Sequence, residues 1–131
     1  MAYLLDTSTA IDAYNGSPVV VRRMSAHLDS VIISTLCLLE LKRGLYRHPT
    51  LLDQSRSRLD RFLAGIPVLD FDRAAVDAYE RIIARLGYVR GRDFDRMIAA
   101  HALSTGSILV TNNEADFSDI PGLQVENWTG A

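Results

Sequence analysis

Four of the sixteen acidic residues stand apart because of where they lie in the chain. Asp6 directly follows an apolar run, and Asp116 lies shortly after another. Glu40 lies within an apolar stretch, and Asp95 precedes one. Carboxylates that share one place repel one another unless a cation joins them, and their hard oxygen atoms suit Mg²⁺ or Mn²⁺. The pattern therefore predicts a divalent-metal site.

Two of these acids have plainer explanations that the sequence leaves open. Asp6 has the residue type of a helix N-cap. Glu40 has the spacing of an exposed ion pair with Arg43, which is worth only a few tenths of a kcal/mol. Gly44, one helical turn beyond Glu40, favours the metal site instead, because its missing side chain leaves room for an ion or a phosphate.

The other two acids also have structural explanations. Asp93 and Asp95 open an expected helix, where acidic residues serve as caps and complement the helix dipole. Asp93 fits the N-cap position, which leaves Asp95 in the first turn. Asp116 is a residue type common in turns. The role of Asp93 stays open.

The apolar runs predict an α/β fold that brings these acids together. Strands alternating with helices indicate one three-layer α/β/α domain over residues 1–131, with a mostly parallel sheet of about four or five strands. The carboxyl ends of parallel strands lie at one edge of the sheet, which is where such folds bind ligands. The strands are expected at 2–5, 31–34, 68–71, 108–111 and 123–126, and the helices at 10–14, 19–28, 35–45, 51–63, 73–86 and 95–104.

Composition excludes several other classes of protein. The chain has 131 residues, of which 48% are hydrophobic and 23% charged, as in globular proteins. Cys37 is the one cysteine and cannot form an internal disulfide; we expect it in the core. The three histidines lack zinc-ligand spacing, and His101 is expected in the core. No run of about 18 apolar residues predicts a membrane span, no signal peptide is recognisable, and a cytoplasmic location is expected.

The charge balance does not by itself favour nucleic-acid binding, since the net charge is −2. The basic residues are nevertheless almost all arginine, and Lys42 is the one lysine. Arginine presents a planar fork that suits phosphate, although it also forms ordinary ion pairs with carboxylates.

Four segments together resemble the PIN-domain family, in particular its VapC type of toxin ribonuclease. They follow one another in the family's order and cover nearly the whole chain. They are Tyr-Leu-Leu-Asp-Thr-Ser at 3–8, Leu-Glu-Leu-Lys-Arg-Gly at 39–44, Asp-Arg-Met-Ile-Ala-Ala-His-Ala at 95–102, and Val-Thr-Asn-Asn at 110–113 followed by Asp-Phe at 116–117.

The resemblance implies a magnesium-dependent ribonuclease, with Mn²⁺ as a substitute, and a site formed by Asp6, Glu40, Asp95 and Asp116. Family members often have Glu where Asp116 stands, so this shorter side chain binds metal either directly or through water. The resemblance also implies a homodimer, an RNA substrate and a small antitoxin that silences the toxin. Residues implied to support the acids are Thr7, Ser8, Thr111 and Asn113. Arg43, Arg92 and Arg96 lie near these motifs and are candidates for contact with the RNA backbone, with surface ion pairing as the alternative for each.

Three other functions compete with this interpretation. A receiver-type signalling domain needs a lysine after a late strand, whereas Lys42 lies early, in an expected helix. A haloacid-dehalogenase-like phosphatase needs a second Asp where Ser8 stands. A catalytically silent PIN fold that binds RNA or an antitoxin is the main alternative, and metal binding would distinguish it from a nuclease.

Overall fold

The structure is a computed structural model that describes residues 1–130. Within them, five strands alternate with six α-helices, and short 3₁₀ turns join some of these elements. The strands are β1 (Tyr3–Leu5), β2 (Val31–Ser34), β3 (Val68–Leu69), β4 (Ile108–Val110) and β5 (Val125–Glu126). The helices are α1 (Thr7–Tyr14), α2 (Pro18–Ala26), α3 (Thr35–Leu45), α4 (Leu52–Leu63), α5 (Arg73–Leu86) and α6 (Asp93–Thr105).

The sheet is fully parallel, in the order β3-β2-β1-β4-β5. Central Leu5 is in register with Ile33 of β2 on one side and Val110 of β4 on the other. After β3 the chain crosses to the far side of β1 and forms β4, so strand order reverses between β1 and β4. Ligands of open α/β sheets bind beyond the carboxyl ends of the strands at such a reversal. The topology thus favours a site beyond Leu5 and Val110.

The two faces of the sheet belong to two separate cores. Leu5, Ile33 and Val110 pack on one face with side chains of α1 to α4. The alternate residues Leu4 and Ile32 pack on the other face with α5 and α6. This alternation follows from the twofold period of a strand, and it confirms the predicted three-layer α/β/α fold.

The predicted elements are all present, with boundaries that shift by a few residues. The 10–14 helix begins earlier, at Thr7, and the 95–104 helix begins at Asp93. The sequence predicted Asp93 as the N-cap of this helix, and that prediction is wrong. Arg92 occupies that position without a capping side-chain bond, and the Asp93 carboxylate instead accepts a hydrogen bond from the Tyr79 hydroxyl.

Two buried residues agree with the sequence analysis. Cys37 and His101 both lie in the interior, as predicted. No helix within residues 1–130 is long and apolar enough to cross a membrane.

Candidate active site

Asp6 lies at the carboxyl end of β1 and is also the N-cap of α1. Its Oδ1 accepts hydrogen bonds from the Thr9 backbone N–H at 2.9 Å and from the Ser8 hydroxyl at 2.8 Å. Its own N–H donates to Val110 O of β4 at 2.9 Å. Asp6 as a residue is only 8% exposed. It is therefore held in one orientation at the point where strand order reverses.

Glu40 reaches the same edge from α3, which begins directly after β2. The Ser34 hydroxyl caps this helix by accepting from the Leu36 N–H at 3.0 Å. Thr7, next to Asp6 in sequence, donates its hydroxyl to Glu40 Oε1. Arg43 donates to Oε2 at 3.2 Å, but its side chain is 71% exposed. Such a surface pair contributes little stability, so Thr7 is the firmer link between Glu40 and the end of β1.

Asp95 and Asp116 approach from the elements that flank β4. Asp95 is partly buried in the first turn of α6. Asp116 is exposed in the 3₁₀ turn Glu114–Phe117, which follows β4, and its N–H donates to Asn113 O at 3.0 Å. Phe117 anchors this turn by burying its ring in the α5–α6 core. The turn therefore holds Asp116 beside α6.

Asp95 lies close enough to the other three acids to be affected by their charges. Burial raises the pKa of the Asp95 carboxyl above its usual value, and the charges of Asp116, Asp6 and Glu40, in that order, raise it further. Arg92 opposes this shift and is the smallest of these influences. The effect of the three neighbouring acids on this pKa thus outweighs that of Arg92, as expected of carboxylates that share a site.

The thiol of Cys37 lies in the same region. Burial raises its pKa to about 12, and the charges of Asp6 and Glu40 add to that shift, while a hydrogen bond with Thr7 opposes it. A thiol with so high a pKa stays protonated at neutral pH and is a poor nucleophile and metal ligand. The chemistry of the site therefore falls to its oxygen atoms.

The carboxylate oxygens suit a hard divalent cation, although in this structure they do not converge on a single point. All four acidic groups offer carboxylate oxygens, which Mg²⁺ prefers. In the described residues, no three Asp, Glu, His or Cys side chains converge closely enough to hold one ion. Direct coordination by three of them therefore needs side-chain rotation, while coordination through retained waters, which Mg²⁺ commonly uses, needs less.

The predicted supporting residues take two kinds of position. Thr7 and Ser8 bond the carboxylates of Glu40 and Asp6. The Thr111 hydroxyl is buried and accepts from the Asn113 N–H at 3.0 Å, while Asn113 itself is exposed. The latter two residues shape the turn that carries Asp116, and their predicted support of the site is indirect in this arrangement.

The three arginines predicted to contact RNA differ in accessibility. Arg43 is exposed beside Glu40, and Arg92 is half-exposed, 3.9 Å from Asp119. Arg96 has a side chain only 5% exposed and donates to Asp119 Oδ2 at 3.2 Å. The burial of Arg96 removes it from the surface that RNA would meet, so its predicted RNA contact is not supported.

Sequence reasoning missed the residues that hold α6 in place. Tyr79 bonds Asp93, and Asp119 pairs with Arg96, so both partners reach α6 from elsewhere in the chain. Tyr79 belongs to the apolar pattern of α5, so the sequence gave no indication that its hydroxyl forms a polar contact. Asp119 resembled an ordinary turn acid. Only the three-dimensional contact reveals that these groups fix the element carrying Asp95.

Comparison with known proteins adds independent findings. The family model described as "PIN domain" matches residues 3–123. The chain is 35% identical to the "tRNA(fMet)-specific endonuclease VapC" of Shigella flexneri, a match covering 98% of this chain and 99% of the relative. It is 33% identical to "Ribonuclease VapC2" of Rickettsia felis, covering 98% of each.

Solved structures of VapBC complexes are also similar to this chain over nearly its whole length. The crystal structure of VapBC2 from Rickettsia felis bound to a DNA fragment from their promoter is similar, with a TM-score of 0.85 and 30% identity, covering 98% of this chain and 99% of that one. The DNA-bound VapBC structure from Salmonella typhimurium has a TM-score of 0.85 and 31% identity, covering 98% of each chain. The similarity therefore includes all the elements that carry the four acids.

Proposed function

Since the chain belongs to the PIN domain family, we propose that it is a magnesium-dependent ribonuclease that hydrolyses RNA phosphodiester bonds. We further propose that it is the toxin of a type II toxin–antitoxin pair, acts in the cytoplasm as a homodimer, and is silenced by a small antitoxin protein. Relatives named VapC ribonucleases and neighbours named VapBC complexes support this assignment.

The arrangement of acidic residues from four separate segments around the carboxyl ends of β1 and β4 is the observation that carries the proposal. Burial raises the pKa of Asp95, and the charges of the other three acids add to that shift. Repulsion within a set of like charges next to the carboxyl ends of β1 and β4 opposes folding, so the capping of α1 by Asp6 does not explain the whole set. The set does suit a site that binds a divalent cation together with a phosphate.

The protein residues have distinct roles in this mechanism. Ser8 and the Thr9 N–H hold the carboxylate of Asp6, and Thr7 holds that of Glu40. Asp95 offers its carboxylate from the first turn of α6. When bound, the divalent ion supplies Lewis-acid and water-activating chemistry for hydrolysis. No protein nucleophile is needed.

The experiment compares the wild type with Asp6→Asn and Asp95→Asn, each purified free of antitoxin. We expect wild-type cleavage of RNA to require Mg²⁺, and each variant to lose at least about 100-fold in rate, because a ligand to the activating ion is removed. Calorimetric titration with Mg²⁺ and Mn²⁺ is run in parallel.

Each result has a definite meaning. Unchanged metal-dependent cleavage in either variant contradicts the assigned site. Absence of both metal binding and cleavage in a folded wild type contradicts the nuclease itself and favours a silent PIN fold. Asp60→Asn is the matched control, because Asp60 is an exposed acid on α4.

A further inference from the structure

A groove runs from Glu40 along the outer side of α3. Its volume is about 400 Å³, and α1 and α4 supply its other walls. Leu41, Leu45 and Leu59 belong to the core beneath it. Because Glu40 lines the groove as well as the carboxylate site, the groove borders the proposed reaction centre.

The charge of this groove is opposite to that of the carboxylate site. Arg47 and Arg58 line it and are exposed, whereas Glu40 is the one acidic side chain in its described lining. A strand of phosphates that leaves a metal-bearing acidic centre meets cationic groups directly beyond it. An acidic or neutral ligand of other kinds has no comparable reason to contact both ends.

One of these cations is already fixed in place. The Arg58 guanidinium lies over the Tyr14 ring, 4.2 Å from its centroid, and its Nη2 donates to Tyr14 O at 3.0 Å. Its remaining N–H groups face an exposed environment. Because the fork is held before a ligand arrives, less side-chain entropy is lost when it bonds a phosphate.

Gly44 keeps the groove wide at its middle. A Cβ added at this residue has no atom within 4 Å, so a larger side chain there enters open space. Gly44 lies in α3 with ordinary helical backbone, and Gly is a poor helix former. The absence of a side chain thus has no conformational reason and matches a need for room.

We propose that this groove holds single-stranded RNA on one side of the scissile phosphate, with Arg47 and Arg58 contacting its phosphates. The inference rests on the proposed ribonuclease function and specifies where its substrate lies. Single strands suit the groove because they bind through a cationic channel that follows the backbone, with aromatic side chains available for stacking.

The test measures binding of a mixed-sequence single-stranded RNA oligonucleotide by fluorescence anisotropy at several salt concentrations, with EDTA present to prevent cleavage. Arg47→Gln and Arg58→Gln are expected to weaken binding by about threefold to fivefold each and to reduce the salt slope by about 0.7, the value for one lost phosphate contact on a single strand. Arg81→Gln is the matched control, because Arg81 is exposed on α5 beyond the opposite face of the sheet.

A second variant fills the groove without removing charge. Gly44→Leu is expected to keep the thermal midpoint and weaken RNA binding at least as much as either arginine variant, whereas Gly44→Ala leaves both nearly unchanged. Salt slopes equal to that of Arg81→Gln, or unchanged RNA affinity in Gly44→Leu, overturn the proposal. So does a Gly44→Leu protein that loses only antitoxin binding, since the groove then holds a polypeptide.

Cleavage assays on the same proteins separate this inference from the ribonuclease proposal. If the wild type cleaves RNA and the groove variants retain its KM, the groove proposal is wrong while the function stands. If the groove variants lose RNA affinity but no variant or wild type cleaves, the function is wrong while the binding site stands.

Discussion

The buried ion pair between Arg96 and Asp119 offers a sharp test of how α6 is positioned. Arg96 donates to Asp119 Oδ2 at 3.2 Å, and its other nitrogens, Nε and Nη1, are buried without a partner in the described residues. Asp119→Asn removes the opposing charge with almost no change in shape. The guanidinium then stays buried and charged without its counter-ion.

The magnitude follows from the burial of the two partners. Breaking a fully buried pair costs about 3–5 kcal/mol, but the Asp119 side chain is 41% exposed, and water screens part of the loss. We therefore expect Asp119→Asn to lower the free energy of unfolding by about 2 kcal/mol. For 131 residues, an unfolding entropy of about 2.1 cal/mol/K per residue converts this into a fall of roughly 7 °C in Tm.

A double-mutant cycle with Arg96→Met isolates the pair. Met fills a similar volume without charge or unsatisfied N–H groups, and the Asp119 carboxylate left behind is 41% exposed and 3.9 Å from Arg92, so Arg96→Met alone is expected to cost less than Asp119→Asn. In that background Asp119→Asn is expected to cost less than about 0.5 kcal/mol, a coupling of about 1.5 kcal/mol. Urea and thermal unfolding at pH 7 measure all four proteins, with Asp60→Asn as an exposed control. Equal losses from Asp119→Asn in both backgrounds would refute the reasoning.

Two further predictions concern charge in the native state. Because burial and then the charges of its neighbours raise the pKa of Asp95, its ionisation opposes folding as pH rises above the usual value of 3.8, and Asp95→Asn is expected to stabilise the metal-free protein slightly at pH 7, since partial exposure screens these charges. Thermal unfolding in EDTA and in Mg²⁺ checks this, and a Tm below wild type in EDTA contradicts it. Burial lowers the pKa of His101, whose Nδ1 lies 2.8 Å from Ser34 Oγ. The unfolded state therefore binds more protons below pH 6.5, so stability is present above pH 6.5 and declines as pH falls towards the folded-state pKa. Urea unfolding at pH 5 and 7.5 is expected to show a smaller pH effect in His101→Gln than in wild type, and equal effects would count against this assignment.

The position of the acids beyond the strands could be predicted, because the local pattern of apolar residues determines where each strand ends. An apolar run that ends in Asp6 identifies both a buried strand and its carboxyl end. The alternation of strands and helices then makes the sheet parallel and places such ends on one edge. β2 agrees with its predicted bounds, residues 31–34, because Val31 to Ser34 are all buried and a helix begins directly afterwards.

The contacts that fix the acids could not be predicted in the same way. Thr7 bonds Glu40 across 33 residues of sequence, and Arg96 pairs with Asp119 across 23. Spacing along one element carries no information about such partners. The predicted N-cap of α6 was wrong for a related reason. The Tyr79 hydroxyl of α5 donates to Asp93, and the helix begins one residue earlier than an N-cap at Asp93 would require.

The structural and functional explanations of the acids prove compatible. Asp6 is an N-cap, as its plainer explanation states, and that capping orients the carboxylate at the reversal of strand order. Asp95 also lies at a helix N-terminus, where the dipole favours negative charge, and Glu40 has Thr7 and Arg43 as donors. Asp6, Glu40 and Asp95 therefore each have local support before any cation arrives. We accordingly expect the fold to form without metal, unlike that of a zinc finger, and a divalent ion to add stability only through its preference for the native state.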